Sequence, residues 1–251
     1  MGFQRARAVA GRWDEVEATG STNADLVAAV RDGAVLPHLS VRITGDQRAG
    51  RGRLDRVWQA PPGAALAISV LVRVPRIPAA VRGWIPLIAG TAMAGAVRAQ
   101  LPDREVGVKW PNDVLVEGRK LCGILAEGTT DPDAVVVGAG INTAMTAEEL
   151  PVASATSFAV LGVRCDEDAL VAAYLTALDR MLGALAAGDA VAAGIHRAVS
   201  ATCLTLGREV TVSLPDGSAL RGIARALEAD GRLLVGDPGQ AVSAGDVVHV
   251  R

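Results

Sequence analysis

The stretch that decides the fold covers residues 106–137 and reads VGVKWPNDVLVEGRKLCGILAEGTTDPDAVVV. Short apolar segments at 106–110, 114–116, 121–127 and 134–137 alternate in it with turn-forming residues. Short strands joined by tight turns pair in antiparallel fashion, whereas parallel strands need a long crossover. The stretch therefore predicts a largely antiparallel sheet and not a series of βαβ units.

Helices and further strands are predicted on both sides of this stretch. Ser21-Thr22-Asn23 is an N-cap signal before a run of helix formers that ends at Gly33. Strands are expected at 39–44 and 64–74, and helices are expected at 78–100 and 166–187, the second with an acidic first turn. The elements predict an α+β fold with helices that flank a mixed sheet.

A change of composition after Leu204 predicts a second, smaller domain. Short apolar segments at 209–213, 220–227, 232–235 and 247–250 are separated by turns that contain glycine. At roughly 45 residues this all-β unit is close to the minimum for a free-standing fold. The predicted domains are therefore residues 1–203 and 204–251, and the second is expected to lean on the first.

Composition excludes several classes of protein. The chain has 251 residues and a net charge of −2, and a dedicated nucleic-acid binder would be more basic. Its three cysteines are widely spaced and form no CxxC, which argues against a disulfide framework and a cysteine-rich zinc site. The longest apolar run, 85–97, is broken by proline and glycine and is too short to span a bilayer. We expect a soluble, cytoplasmic protein.

An arginine-rich segment is the first candidate for chemistry. Gly50-Arg51-Gly52-Arg53 follows Gln47 and precedes Arg56 and Trp58. Glycine leaves the backbone free, and guanidinium groups match carboxylates and phosphates. This segment, named the arginine loop here (Gln47–Trp58), is either a lid over an anionic ligand or a solvated basic loop.

Three other motifs allow two readings each. Ser21-Thr22-Asn23 is a plain helix cap or a binding site for a polar ligand. Lys109-Trp110-Pro111-Asn112-Asp113 ends a strand, or it fixes an ammonium group for a phosphate or carboxylate, with Asn112 and Asp113 available for polar or metal contacts. Gly138-Ala139-Gly140-Ile141-Asn142 imitates a dinucleotide fingerprint, but Thr143 holds its sixth position, so close approach of a ligand or strand is the alternative.

These motifs, in this order, resemble those of the biotin protein ligases, the biotin–[acetyl-CoA-carboxylase] ligase family. The segment 119–127, RKLCGILAE, fits the same family. The resemblance implies an α+β fold with a mixed, largely antiparallel sheet flanked by helices, related to class II aminoacyl-tRNA synthetases. It also implies a small C-terminal SH3-like β-barrel and a catalytic biotin- and ATP-binding domain before it.

The implied reaction has two steps. The carboxylate of biotin attacks the α-phosphate of Mg²⁺-ATP to give biotinyl-5'-AMP and pyrophosphate, and a lysine of a biotin carboxyl carrier protein then displaces AMP. Cations must offset the repulsion between the two anions, and Arg51, Arg53 and Lys109 are the expected catalytic cations. No general base and no metal ligand is assigned.

The resemblance also implies a set of binding residues. Those expected to hold biotin are Ser21, Thr22, Asn23, Gln47, Arg51, Gly52, Arg53 and Lys109. Those expected next to the nucleotide are Arg53, Trp58, Lys109, Asn112 and Asn142.

The sequence departs from the family pattern in two places. Asp55 stands in the arginine loop where the family usually has glycine, and its charge could pair with Arg53 or Arg56. Few residues precede Ser21, so we expect no helix-turn-helix domain, no operator DNA as a partner and a monofunctional ligase.

A lipoate–protein ligase and a non-enzymatic nucleic-acid-binding module are the alternative functions. The oligomeric state, monomer or homodimer, stays open.

Overall fold

The computed structural model describes residues 2–214, 217–243 and 245–250, and for Asp55 and Asp246 it describes only the backbone. The helices are α1 (Gln4–Val9), α2 (Thr22–Arg31), α3 (Trp84–Gln100), α4 (Glu167–Ala187) and α5 (Ile195–Thr202). The strands are β1 (Arg12–Glu15), β2 (Ser40–Thr44), β3 (Gly50–Arg51), β4 (Val57–Trp58), β5 (Leu66–Arg73), β6 (Val106–Lys109), β7 (Asp113–Val116), β8 (Arg119–Gly128), β9 (Ala134–Ile141), β10 (Glu209–Ser213), β11 (Ala219–Leu227), β12 (Leu233–Val235), β13 (Gln240–Val242) and β14 (Asp246–His249).

A seven-stranded sheet with the order β1-β2-β5-β9-β8-β7-β6 forms the centre of the molecule. The β1–β2 pair is parallel, and every other neighbouring pair in this sheet is antiparallel. The prediction of an α+β fold with a mixed, largely antiparallel sheet is therefore confirmed.

The two faces of this sheet are covered by different helices. On one face, α3 and α4 join the main core, where Val137 and Ala139 of β9 are buried with most of α3. Gly90 of α3 packs against Val108 of β6, where an added Cβ would lie 3.4 Å from the valine methyls. On the other face, α2 forms a smaller core with Leu71 and Val136.

Among the described residues, helix α4 is the one that could cross a membrane by length and composition, with 21 residues and a mean hydropathy of 1.4. The core helix of a soluble protein meets the same criterion. Eight side chains of α4, among them Leu170, Tyr174 and Leu178, are buried in the main core, so the apolar composition of α4 is explained by packing inside the protein.

The C-terminal unit is a five-stranded sheet with the order β13-β12-β11-β10-β14. It contacts the larger unit directly, since Trp84 Nε1 donates to the carbonyl of Ala229 at 2.8 Å and His196 Nε2 lies 2.7 Å from the carbonyl oxygen of Leu227. Its strands follow the predicted segments, with β13 in addition. A turn is predicted between the segments 209–213 and 220–227, and two of its residues, Pro215 and Asp216, lie outside the described residues.

Several elements were missed or misplaced by the sequence analysis. Helix α3 begins at Trp84 and not at 78, and Ala79–Val81 form a separate 3₁₀ turn. Pro86 is the third residue of α3, where its missing N–H costs no intrahelical bond. Helix α1 has no apolar periodicity, and a tertiary contact fixes it: the carboxylate of Asp168 accepts from the backbone N–H of Ala6 at 2.9 Å.

Candidate active site

Three glycines form part of the sheet face that α2 covers. Gly123 of β8 and Gly140 of β9 are direct cross-strand partners, and Gly138 precedes Gly140 by two residues, so all three belong to one face. A Cβ at Gly140 would lie 2.5 Å from the indole of Trp58, and one at Gly138 would collide with the side-chain amide of Asn23. These three residues, named the glycine floor, let other groups approach the sheet closely.

The strand pairing around the glycine floor decides between the two interpretations of residues 138–142, a dinucleotide fingerprint or a place of close approach. Strand β9 runs antiparallel to both of its neighbours, β5 and β8, so no βαβ unit surrounds the motif. The dinucleotide fingerprint is therefore a chance likeness, and close approach is the correct reading.

At one end of the floor, the start of α2 forms a buried polar cluster. Ser21 caps the helix by accepting from Ala24 N at 3.3 Å, and Gln47 Oε1 accepts from the backbone N–H of Thr22 at 2.9 Å. Ser69 Oγ lies 2.5 Å from Asn23 Oδ1 and 2.7 Å from Thr22 Oγ1. Three predicted site residues (Thr22, Asn23 and Gln47) are thus brought together, and Ser69 joins them.

The number of protons on these side chains determines which group donates in each contact. Asn23 Oδ1 can only accept, so the single hydroxyl proton of Ser69 goes to it. The Thr22 hydroxyl then donates its own proton, which faces two acceptors, Gln47 Oε1 at 3.1 Å and Ser69 Oγ at 2.7 Å. This assignment leaves the oxygen of Thr22 able to accept a hydrogen bond from a ligand.

Glu127 connects this cluster to the arginine loop, although the sequence analysis gave it no role. Its Oε2 accepts from Asn23 Nδ2 at 2.6 Å, and its Oε1 accepts from Arg51 at 3.1 Å. Glu127 lies four residues after Gly123 in β8, and alternation along a strand places both on one face. That spacing was the signal in the sequence that could have identified Glu127.

The arginine loop folds back onto the sheet as a short ribbon. Gly50 pairs with Trp58, and the loop closes with a hydrogen bond of 2.6 Å from Gly52 N to the carbonyl of Arg56. Arg53 Nη1 donates to Asn112 Oδ1 at 3.0 Å, which joins the loop to the Lys109–Asp113 motif. The side chain of Asp55, the departure from the family pattern, lies outside the described residues.

At the other end of the floor, two lysines lie on the same face. Lys109 is the cross-strand partner of Asp113, and Asp113 is the partner of Gly123. Lys120 Nζ lies 2.6 Å from Asp113 Oδ1, and a Cβ at Gly123 would lie 3.1 Å from that ammonium group.

Lys120 was missed because a β-bulge redirects it. Lys120 and Gly123 are three residues apart, so regular alternation would place them on opposite faces. The register between β7 and β8 shifts, with Val114 opposite Cys122 and Leu115 opposite Lys120, so Leu121 is an extra residue. A bulge re-aims the side chains beside it. Lys109 and Lys120 are also the only lysines in the sequence, so both lysines of the chain belong to this face of the sheet.

The Lys109–Asp113 motif also borders a cavity of about 330 Å³ beside the C-terminal unit. Asn112 is held in place because its Nδ2 donates to the carbonyl of Ile124 at 2.8 Å and its own carbonyl accepts from Ile124 N. The lining residues are Arg53, Ala80, Gly83, Pro86, Leu87, Trp110, Pro111, Asn112, Ile124, Leu125, Ala126, Asp230, Gly231, Arg232 and Ser243.

The remaining predicted residue, Asn142, follows Gly140 by two positions and is buried. Its Nδ2 donates to the carbonyl of Thr156 at 2.9 Å, which fixes the segment that follows β9. In the described part of the chain no group of three or more His, Cys, Asp or Glu side chains forms a metal site.

Comparison with known proteins adds to this geometry. Residues 21–142 match the model of the biotin/lipoate A/B protein ligase family, and residues 205–250 match that of the biotin protein ligase C terminal domain. The biotin–[acetyl-CoA-carboxylase] ligase of Mycobacterium tuberculosis is 42% identical over 243 residues, which are 95% of this chain and 89% of that protein. The chain belongs to the biotin–[acetyl-CoA-carboxylase] ligase family.

Other members of the family match in part or in fold. The bifunctional ligase/repressor BirA of Escherichia coli is 47% identical over 102 residues, which are 39% of this chain and 31% of that protein. The biotin protein ligase of Aquifex aeolicus, solved in complex with biotin and ATP, superposes with a TM-score of 0.79 at 22% identity over 96% of this chain and 99% of that one. The second likeness shows the shared fold.

Proposed function

We propose that the groove above the glycine floor is where this enzyme joins biotin to ATP, forms biotinyl-5'-AMP and passes the biotinyl group to a lysine of a biotin carboxyl carrier protein. One observation carries the proposal. A buried polar cluster and a pair of lysines lie at opposite ends of one glycine-floored face, with the arginine loop folded over it. Such a site would fit a ligand that has a neutral polar head at one end and an anionic group at the other.

The two ends suit the two parts of the reaction. The Thr22 hydroxyl and the cluster around it can bind the polar head of biotin by hydrogen bonds. Cations at the other end offset the repulsion when the biotin carboxylate attacks the α-phosphate and charge develops there. Pyrophosphate leaves in that step, and the carrier's lysine amine displaces AMP in the next.

The residue roles follow from this placement. We propose Ser21, Thr22, Asn23, Gln47, Arg51, Gly52, Arg53 and Lys109 for biotin and Arg53, Trp58, Lys109, Asn112 and Asn142 for the nucleotide. Lys120 joins this set because its ammonium group lies over Gly123 beside Asp113. Ser69 and Glu127 hold the biotin end in place through Asn23.

Mg²⁺ is proposed to enter with ATP. Magnesium is bound in proteins by one or two carboxylates together with substrate phosphates, so a site without a carboxylate cluster is compatible with it. Asp113 lies on the site face and would be the carboxylate that holds it, shared with Lys120, whose ammonium group lies 2.6 Å from Asp113 Oδ1. When bound, Mg²⁺ would neutralise part of the phosphate charge.

We also infer the finer features that the family implies. The five-stranded C-terminal sheet is proposed to be an SH3-like barrel, and the larger unit is proposed to be related to class II aminoacyl-tRNA synthetases. A domain boundary near residues 203 and 204 is supported by the family match that starts at residue 205. A cytoplasmic location and the carboxylase carrier as partner are part of the same proposal.

Incubation with biotin and Mg²⁺-ATP, followed by mass analysis, tests the activity. We expect retained biotinyl-AMP and, after addition of a carrier domain, a biotinylated lysine. A preparation that forms neither product would refute the function. Competition between biotin and lipoate in calorimetry separates the two ligase activities, because the family model covers both.

Substitution of the cations tests the site. Replacing Arg51, Lys109 or Lys120 by alanine removes a charge-assisted contact, and we expect each loss to weaken adenylate binding by roughly tenfold to a hundredfold. Arg76 lies exposed in the turn after β5 and gives a matched control, since Arg76→Ala should leave adenylate binding unchanged. Unchanged binding in all three site variants would show that the site is placed wrongly.

A further inference from the structure

The C-terminal unit holds Trp110 at two points. The backbone N–H of Trp110 donates to Thr205 Oγ1 at 2.9 Å, and the indole Nε1 donates to the carbonyl of Gly231 at 3.2 Å. Trp110 is 2% exposed. A residue in the middle of a site motif is thus fixed by groups that belong to the other unit.

Thr205 is the more specific of these two contacts. It has no exposed surface, and its Oγ1 also lies 3.1 Å from His249 Nε2. Oγ1 accepts from Trp110, so its single proton is available for His249, and a chain of bonds runs from Trp110 through Thr205 to His249. Burial, with help from the charges of Lys109 and Arg208, lowers the pKa of His249 to about 4, so the imidazole is neutral and can accept.

The backbone that Thr205 fixes carries two predicted site residues. Asn112 N donates to the carbonyl of Lys109 at 3.1 Å, which closes the turn around Trp110. Next to Thr205, Leu204 N donates to the carbonyl of Val108 at 2.8 Å, so the start of the C-terminal unit lies along the edge strand β6. A shift of this backbone would move Lys109 and Asn112 together.

We infer that Thr205 is a positioning residue for the nucleotide end of the active site: its buried hydroxyl holds the Lys109–Asn112 turn in the geometry that ATP requires. The inference rests on the proposed function. The C-terminal unit is then part of the active site, although Thr205 touches no substrate. The polar cluster that binds the head of biotin does not depend on this contact, because it is built from α2, Gln47 and Ser69. Of the residues proposed for biotin, Lys109 is the one that lies in this turn.

Thr205→Val and Thr205→Ser test the inference. Valine keeps the shape but leaves the buried Trp110 N–H without an acceptor, so we expect KM for ATP to rise at least tenfold. The dissociation constant for biotin alone should rise several times less, because biotin shares only Lys109 with this turn and its head cluster is untouched. Serine keeps the hydroxyl and should restore KM for ATP to within threefold of the wild type. Thr176→Val, on the exposed side of α4, removes a hydroxyl that bonds within its own helix and should change neither constant.

Two results would overturn the inference. One is an unchanged KM for ATP in Thr205→Val. The other is an equal rise of KM for ATP and of the biotin dissociation constant together with a lower Tm, which a merely structural role would give. A wild-type enzyme that forms no adenylate would instead refute the proposed function.

His249→Ala keeps the test decisive if Thr205→Val does not fold. Without His249 the Thr205 hydroxyl loses this acceptor and can turn towards the Cys203 thiol, so we expect a twofold to fivefold rise of KM for ATP and a smaller change of biotin affinity. Wild-type values for both substrates in this variant would contradict the inference.

Discussion

At the scale of single residues, a carboxylate organises the biotin end of the proposed site. Glu127 makes two contacts of different strength. The 2.6 Å bond to the amide of Asn23 is largely hidden from solvent, since Asn23 is 6% exposed. The 3.1 Å pair with Arg51 is half in solvent, and such exposed pairs contribute about 0–1 kcal/mol.

Removal of Glu127 therefore tests which contact dominates. Glu127→Ala would free Arg51 for an anionic ligand but leave the Asn23 amide without its acceptor, and the buried contact outweighs the exposed one. We expect biotin to bind roughly tenfold more weakly in calorimetry. Glu148→Ala, at an exposed carboxylate, is the control, and tighter biotin binding in Glu127→Ala would show that the Arg51 pair dominates.

At the scale of elements, the site depends on strands that lack side chains at chosen positions. The partners Gly123 and Gly140 leave the sheet bare where Trp58 and Lys120 approach. The glycine floor depends on the register of the strands, because a slip of one residue would turn the glycines to the other face of the sheet.

A methyl group added to the glycine floor should weaken the binding of biotin and the adenylate. Gly140→Ala would place a Cβ 2.5 Å from the indole of Trp58, a distance at which the ring must shift. We expect biotin and adenylate affinity to fall at least tenfold, on the order of the cost of an overpacked contact. Gly128→Ala lies on the same sheet with open space around it and should bind normally. Equal affinity in the two variants would mean that the floor does not line the site.

The arginine loop is held by few backbone bonds, since β3 and β4 have only two residues each. We expect it to be mobile when empty and ordered by biotin or biotinyl-AMP. Trypsin should then cut at Arg51 and Arg53 several times more slowly with ligand, while cutting at the distant, exposed Arg76 stays the same. Cleavage at Arg51 and Arg53 that is equally fast in both states would count against an ordering loop.

At the scale of the whole molecule, the two units share one core and one set of buried bonds. Residues of both, such as Trp84 and Leu233, belong to the same core cluster. His249 near the C-terminus is part of this contact, and its ionisation should therefore affect the stability of the assembled molecule.

The pH dependence of folding follows from His249. Its pKa falls from 6.5 to about 4 on folding, mainly through burial. Between these values the unfolded chain binds the extra proton, so the stability that neutral His249 provides is full above about pH 6.5 and is lost as the pH falls towards 4. The free energy of unfolding of the wild type, minus that of His249→Gln, should decline across this window in urea titrations. A constant difference would show that His249 titrates normally.

Much of the fold could be predicted because its signals are local. The short apolar segments between 106 and 137 specify antiparallel strands, and Ser21 specifies the start of α2, where it does cap the helix. Helix α1 and strand β1 could not be predicted, since their polar residues are fixed by distant partners: Arg5 of α1 pairs with Asp168, and Asp14 of β1 pairs with Arg42.

The sequence by itself determined the class of fold, the order of the motifs and their likeness to biotin protein ligases, because periodicity, turns and motifs lie within a few residues of each other. Only the tertiary structure decided which groups meet. A bulge at Leu121 turns Lys120 towards Gly123, the sheet register brings Glu127 to Asn23, and the C-terminal unit brings Thr205 to Trp110. These contacts join residues far apart in the chain, and their geometry depends on strand register and packing, which no single segment encodes.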